Sequence, residues 1–272
     1  MQLPMFQVDA FATGPFRGNP AAVVPLHAWL PDETLLAITR KNNLAQTAFF
    51  VPLPDDPDAD FHLRWMAPAI EVALCGHATL ATGHALRTHL GVTASRITFR
   101  TMSGGVAVEV DEDRLSLDFP RIDPSPRAPI PALAAALGAS PVQWLETGDV
   151  GGREGYLLGV FASRRDIEAL TPDFLAMAEH GAITVTAPGS PDDDCDFVSR
   201  FFGPGYGIDE DHATGSIHAM LTPYWHARLG CERMFARQLS PRGAAMWVQH
   251  AGERVRIAGH CTTSMQGTIT VE

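Results

Sequence analysis

An α+β fold built from two similar halves is what this sequence predicts, and three observations carry the prediction. One local pattern occurs twice, strand and helix periodicities follow each other in mixed order with one long apolar helix per half, and a proline-rich segment separates the halves. In the first copy, Arg64-Trp65-Met66-Ala67-Pro68 is followed by Glu71 and then by Cys75-Gly76-His77. In the second, Arg200-Phe201-Phe202-Gly203-Pro204 is followed by Glu210 and then by Thr214-Gly215-Ser216. Glu71 and Glu210, Cys75 and Thr214, and His77 and Ser216 are each separated by 139 positions (210 − 71, 214 − 75, 216 − 77). Arg64 and Arg200 are 136 apart, a three-residue difference that a loop absorbs at little cost. Each copy reads as a strand, a loop and a helix N-terminus, which makes a duplication the expectation. Two such turns facing each other would aim two sets of helix-terminal N–H groups at one anion.

The elements follow in order. A strand is expected near residues 4–11, and the loop from 12 to 20 feeds a second apolar strand. Pro31-Asp32-Glu33 places proline and two acids in the first turn of a helix with Leu35, Leu36 and Ile38 on its apolar side and Arg40-Lys41 at its end. Strands near 47–53 and 60–66 precede the Cys75 turn, and Leu80, Ala81, Ala85 and Leu86 give the helix after it an apolar face. Three short strands fall near 96–118. Pro120, Pro124, Pro126, Pro129 and Pro131 interrupt regular structure and mark the linker, so the expected domains are 1–122 and 123–272, with the last strand free to return to the first. Strands near 143–147 and 155–161, a helical region near 163–179, strands near 183–187 and 195–202, a helix from about 212 to 229 and four strand candidates complete the second half. Each long helix is expected to be wrapped by a mostly antiparallel sheet.

A chain of 272 residues that is 46% hydrophobic can form substantial cores. Its net charge of −11, from 20 basic and 31 acidic side chains, argues against a nucleic-acid or acidic-membrane surface and leaves small metabolites as partners. No basic stretch leading into an apolar run opens the chain and no apolar stretch approaches a membrane span, so a cytoplasmic location is expected. The four cysteines (Cys75, Cys195, Cys231, Cys261) form no CxxC pair, and the histidines show no metal-binding spacing; neither a disulfide framework nor a metal is signalled. Gly203-Pro204-Gly205-Tyr206-Gly207 lacks the spacing of a nucleotide loop, Asp192-Asp193-Asp194 reads as a solvated loop, and Tyr224 and Trp225 read as core.

Val8-Asp9-Ala10-Phe11, Gly18-Asn19-Pro20, Cys75-Gly76-His77-Ala78-Thr79, Glu210-Asp211-His212-Ala213-Thr214-Gly215-Ser216 and Arg242-Gly243, in this order, resemble the phenazine biosynthesis PhzF-like proteins, relatives of diaminopimelate epimerase. The resemblance spans nearly the whole chain. It implies two pseudo-symmetric domains, each a barrel-like, mostly antiparallel sheet around a central helix, with the active site in the cleft between them. It further implies an isomerase that needs no cofactor, works as a homodimer, and moves a proton on a small carboxylate-bearing metabolite.

What the resemblance implies for residues goes position by position. His77, Asp211 and Ser216 match positions lining the family's cleft, and Asn19 lies in a matching Gly-Asn-Pro segment. The amides of Gly76 and Gly215, with the Ser216 hydroxyl, would cradle a substrate carboxylate. Asp211 is expected to orient His77 or hold an ammonium group, or else to serve as an N-cap or first-turn acid. Where the family's isomerases carry a catalytic glutamate in an Asn-Leu-Ser-Glu-Thr-like stretch, this chain reads Asn43-Leu44-Ala45-Gln46-Thr47. A glutamine amide orients but does not take a proton from carbon, so the alternative is a catalytically silent small-molecule binding protein. Cys75 has two readings, a thiol base activated by a helix N-terminus or a small packed residue; with Thr214 in the matching place, a two-thiol racemisation is not expected.

Overall fold

In a computed structural model that describes residues 1–148, 155–190 and 192–271, the chain forms eighteen strands and six α-helices in mixed order. The first part runs β1 (Gln2–Ala10), β2 (Asn19–Pro25), α1 (Asp32–Asn42), β3 (Thr47–Pro52), β4 (Phe61–Met66), β5 (Glu71–Val72), α2 (Gly76–His89), β6 (Arg96–Thr101), β7 (Gly104–Asp111) and β8 (Arg114–Pro120). The second runs β9 (Ser125–Pro126), α3 (Pro131–Leu137), β10 (Gln143–Glu146), β11 (Leu157–Val160), α4 (Arg164–Glu168), α5 (Phe174–Met177), β12 (Ile183–Pro188), β13 (Phe197–Gly203), β14 (Ile208–Asp211), α6 (His218–Leu229), β15 (Arg233–Gln238), β16 (Ala244–Ala251), β17 (Arg254–Gly259) and β18 (Cys261–Thr270). These divide into two compact units, residues 1–118 with 258–272, and residues 119–257. No described helix is long and apolar enough to cross a membrane.

Within the first unit, β1 pairs antiparallel with β18 and β2, β2 runs parallel to β3, β3 pairs antiparallel with β4, and β4 lies parallel to β6 and antiparallel to β5. Within the second, β10 pairs antiparallel with β9 and β11, β11 runs parallel to β12, β12 pairs antiparallel with β13, and β13 lies parallel to β15 and antiparallel to β14. The two pairing schemes are the same. The duplication suggested by two short motifs therefore extends to the hydrogen-bonded topology of each unit.

The α2 helix touches β1, β2, β3, β7 and β18, so its sheet wraps it. Residues Gly76 to Gly83, with Ala85 and Leu86, are buried, which explains why it carries no polar face. A side chain at Gly83 would meet the Val108 methyl at 2.7 Å, so glycine lets β7 lie against the helix. Trp65, Phe49 and Phe99 are fully buried, each contributing roughly 1.5–3 kcal/mol by leaving water. The short α1 follows its sequence signals: Asp32 and Glu33 open it, Arg40 and Lys41 close it, and Asn43 ends it in the left-handed region at φ 52°.

Four elements differ from the sequence expectation. The linker is not irregular throughout, because β8 reaches Pro120, β9 contains Pro126, and Pro131 opens α3 at the first helical position, where its missing N–H costs nothing. The helical region near 163–179 is split: Pro172 follows Thr171, and a capping box of Ser163 and Asp166 opens α4 separately. Short strands β5 and β14 occupy what reads as loop ahead of each Gly turn. Finally, the second long helix begins as a 3₁₀ turn, Gly215–Ile217, and becomes α-helical only at His218. Pro223 inside α6 cannot donate to the Ala219 carbonyl, and the Ile122 N–H fills that place at 3.1 Å, pinning the linker to the helix.

Candidate active site

In the first unit, the starts of β2 and α2 bring Asn19, Cys75 and His77 together. Gly18 makes this possible: it sits at φ +76°, and a Cβ there would lie 2.3 Å from the Ala10 carbonyl oxygen. The following residue, Asn19, is 1% exposed and its Nδ2 lies 3.4 Å from Nδ1 of His77. The Cys75 sulfur approaches the same ring nitrogen at 3.6 Å. With the Asn19 amide nitrogen turned towards it, Nδ1 is assigned as the acceptor, which in a neutral ring places the proton on Nε2. The imidazole is thus held with a donor nitrogen on its far side and a thiol beside its acceptor nitrogen. Cys75 is the N-cap of α2, with extended backbone and no side-chain capping bond. Gln46 ends the loop into β3, and its carbonyl accepts the Ala22 N–H at 3.4 Å, so it enters the sheet beside β2.

In the second unit, Asp211 ends β14 and accepts the Thr214 hydroxyl at 2.6 Å. It caps no helix, since the first helical turn starts four residues later at Gly215. Gln238, 1% exposed at the end of β15, holds this turn from behind. Its Oε1 accepts the Thr214 N–H at 2.8 Å, while its Nε2 donates to the Asp211 carbonyl at 2.8 Å and reaches Thr214 Oγ1 at 3.2 Å. The sequence reading missed Gln238, although a signal existed: Met234, Ala236 and Gln238 alternate onto the buried side of β15. His212 lies within this turn, and burial pushes its pKa below the ordinary value, opposed by nearby Asp211 and assisted by Arg242.

Three tethers hold both turns in the same way. Arg64 on β4 forks Glu71 on β5 at 2.9 and 2.6 Å, and Arg200 on β13 forks Glu210 on β14 at 2.7 and 2.9 Å. The Ser103 hydroxyl donates to the Ala73 carbonyl at 2.6 Å, as Ser240 does to His212 at 2.7 Å. Thr79 donates to the Cys75 carbonyl at 2.6 Å, while Nδ1 of His218 reaches the Thr214 carbonyl at 3.0 Å. Bidentate Arg–carboxylate pairs add direction as well as energy. The repeated arginines and glutamates are therefore scaffolding that fixes each Gly turn, and the sequence pattern singled them out without showing that they bind each other.

The class of protein defined here is an α+β chain with a duplicated unit, each copy presenting polar side chains and helix-start amides on a braced turn. Residues 8–267 match the family of phenazine biosynthesis-like proteins. The chain is 44% identical over 271 residues to an uncharacterized isomerase from Pseudomonas aeruginosa, covering 99% of each. Solved structures agree: a phenazine biosynthesis PhzF family protein from Enterococcus faecalis has a TM-score of 0.91 at 38% identity, covering 100% of both chains. A PhzC/PhzF protein from Clostridium difficile has a TM-score of 0.89 at 34% identity, covering 99% of this chain and 100% of that one. This chain belongs to the PhzF family of phenazine biosynthesis-like proteins, and the relatives named as isomerases support an isomerase-type function.

Proposed function

We propose that this chain is a cofactor-independent isomerase that moves a proton on a small carboxylate-bearing metabolite, as a cytoplasmic homodimer. The observation that carries the reading is the buried Cys75–His77–Asn19 cluster at the start of α2. His77, oriented by Asn19, presents Nε2–H to donate a proton, Cys75 supplies a base, and Asp211 is available to hold a substrate ammonium group. The helix-start N–H groups of the Gly76 turn, and likewise those of the Gly215 turn with its Ser216 hydroxyl, suit the negative charge of a carboxylate. The reaction breaks one C–H bond and forms another on the same molecule, so it needs no external oxidant or reductant. Gln46 favours a second reading, a protein that binds such metabolites without turnover, because its amide has no useful basicity.

Solvent-deuterium incorporation separates the two. A panel of small carboxylic and amino acids is incubated in D2O with wild type, Cys75→Ala and Gln46→Glu, and exchange is followed by mass spectrometry. If Cys75 is the base, wild type exchanges and Cys75→Ala loses roughly a hundred- to ten-thousand-fold in rate. If the base has been lost, only Gln46→Glu exchanges. Binding without exchange by any of the three rejects proton transfer and leaves the binding protein.

A further inference from the structure

We propose that His84 and His89, at the end of α2, form with Thr263 on β18 a binding site for a divalent d-block metal ion, Zn2+ or Cu2+. Nε2 of His84 lies 3.0 Å and Nε2 of His89 2.8 Å from the same atom, the Thr263 hydroxyl oxygen. Two imidazole nitrogens that converge on one point, from rings inclined at 77°, make a chelating arrangement. Nothing local prepares it. Side chains five positions apart leave an ideal helix more than a quarter turn from each other, and Thr263 stands 174 positions beyond His89. The fold brings the three together, since Thr263 pairs with Val8 on β1 and α2 touches both β1 and β18. All three side chains are half-buried, so an ion can reach them.

The hydroxyl serves both rings only when they hold unlike tautomers. It donates one proton, so it satisfies one Nε2 and must accept from the other. A cation instead takes both Nε2 lone pairs, with each ring proton on Nδ1. His89 is already oriented, because its ring stacks on Phe6 at 4.6 Å and 8°. Burial and neighbouring His89 lower the pKa of His84 to about 4, so at pH 7 no proton has to leave it. His89 is also the last residue of α2, where the helix dipole favours positive charge.

The donors choose the ion. Neutral imidazole suits zinc and copper, whereas calcium and magnesium require carboxylate and carbonyl oxygens. Among the described residues no third His, Cys, Asp or Glu joins the pair, so the Thr263 oxygen and water complete the shell. This ion takes no part in the proposed proton transfer. His77 and His89 are 12 positions apart on α2 (89 − 77), about 18 Å along its axis, and the ion ties the end of the helix to β18.

Zn2+ titrated calorimetrically into the full chain at about pH 7.5 is expected to bind, and Mg2+ is not. Loss of one of two linked ligands removes the gain from chelation. His84→Gln and His89→Gln should therefore each weaken zinc binding by about 100-fold or more, with unchanged far-ultraviolet circular dichroism spectra. Zinc should raise the thermal unfolding midpoint of wild type and not of these variants. Cys75→Ala and His226→Asn test the thiol–imidazole pair at the other end of α2 and the stacked His226–His250 pair, and both should keep the binding. Thr263→Cys puts a thiolate where the two nitrogens meet and should tighten binding by about 10-fold or more. No zinc binding by wild type, or binding that survives either glutamine variant, overturns the site, as does binding lost in either control. Should a glutamine variant fail to fold, Thr263→Cys decides, and an unchanged affinity there overturns the proposal.

Discussion

Single residues decide where the polar groups of each turn point. His77 is useful to a proton transfer only in one tautomer, and Asn19 sets that tautomer from a position that Gly18 makes accessible. Gly18→Ala is therefore expected to destabilise the fold by more than about 2 kcal/mol, because it adds strain at φ +76° to a 2.3 Å contact with the Ala10 carbonyl. Urea unfolding measures this, and an unchanged midpoint would show that the backbone there relaxes freely. Gln238 makes the same point in the other unit. One buried amide satisfies a backbone N–H and a carbonyl of the Asp211–Thr214 turn, groups that would cost about 1–3 kcal/mol each if left unpaired.

At the scale of elements, the two long helices solve one problem with different side chains. The carbonyl at each N-cap position takes a bond from the residue four positions on, Thr79 in α2 and His218 at the start of α6. The histidine makes the second unit sensitive to acid. Burial lowers its pKa from 6.5 to about 4, so the unfolded chain takes up the proton first. Stability is full above about pH 6.5 and falls as the pH drops towards 4, by on the order of 3 kcal/mol for this group. His84, lowered to about 4 by burial and by neighbouring His89, acts in the same direction in the first unit. His218→Thr, which copies Thr79, should cost roughly 1–3 kcal/mol at pH 7.5 through lost packing and yet narrow the gap between pH 7.5 and pH 4.5. Chemical denaturation at the two pH values gives the answer, and a gap of unchanged size would assign the acid sensitivity to other groups.

For the whole molecule, the functional reading requires Cys75 and His77, side by side at the start of α2, to serve one reaction. Residues acting as a unit are not additive: once one is lost, the others have nothing to assist. His77→Asn and Cys75→Ala should each abolish deuterium exchange on their own, and the double variant should be no slower than the worse single one. Independent, multiplying losses in exchange rate would contradict a shared reaction.

Much of this was legible in the sequence, for definite reasons. Duplication leaves a constant offset between Cys75 and Thr214, and strands and helices leave periods of two and 3.6, so the α+β class and the two long helices are legible in the sequence, and the ordered motifs carry the family resemblance. The Gly-flanked turns were visible because glycine and proline act on their own backbone. Partners brought together from distant positions were not visible. Ser240 reaches His212, Gln238 reaches Thr214, and Ile122 takes the carbonyl that Pro223 leaves without a helix donor. Such contacts are chosen by packing, and nothing local marks which donor will arrive. The sequence by itself determined the repeated elements, the family and the candidate side chains. Only the tertiary structure decided that Glu71 pairs with Arg64 and Glu210 with Arg200, and that Asp211 accepts from Thr214, because a carboxylate's role depends on which donor the fold sets beside it.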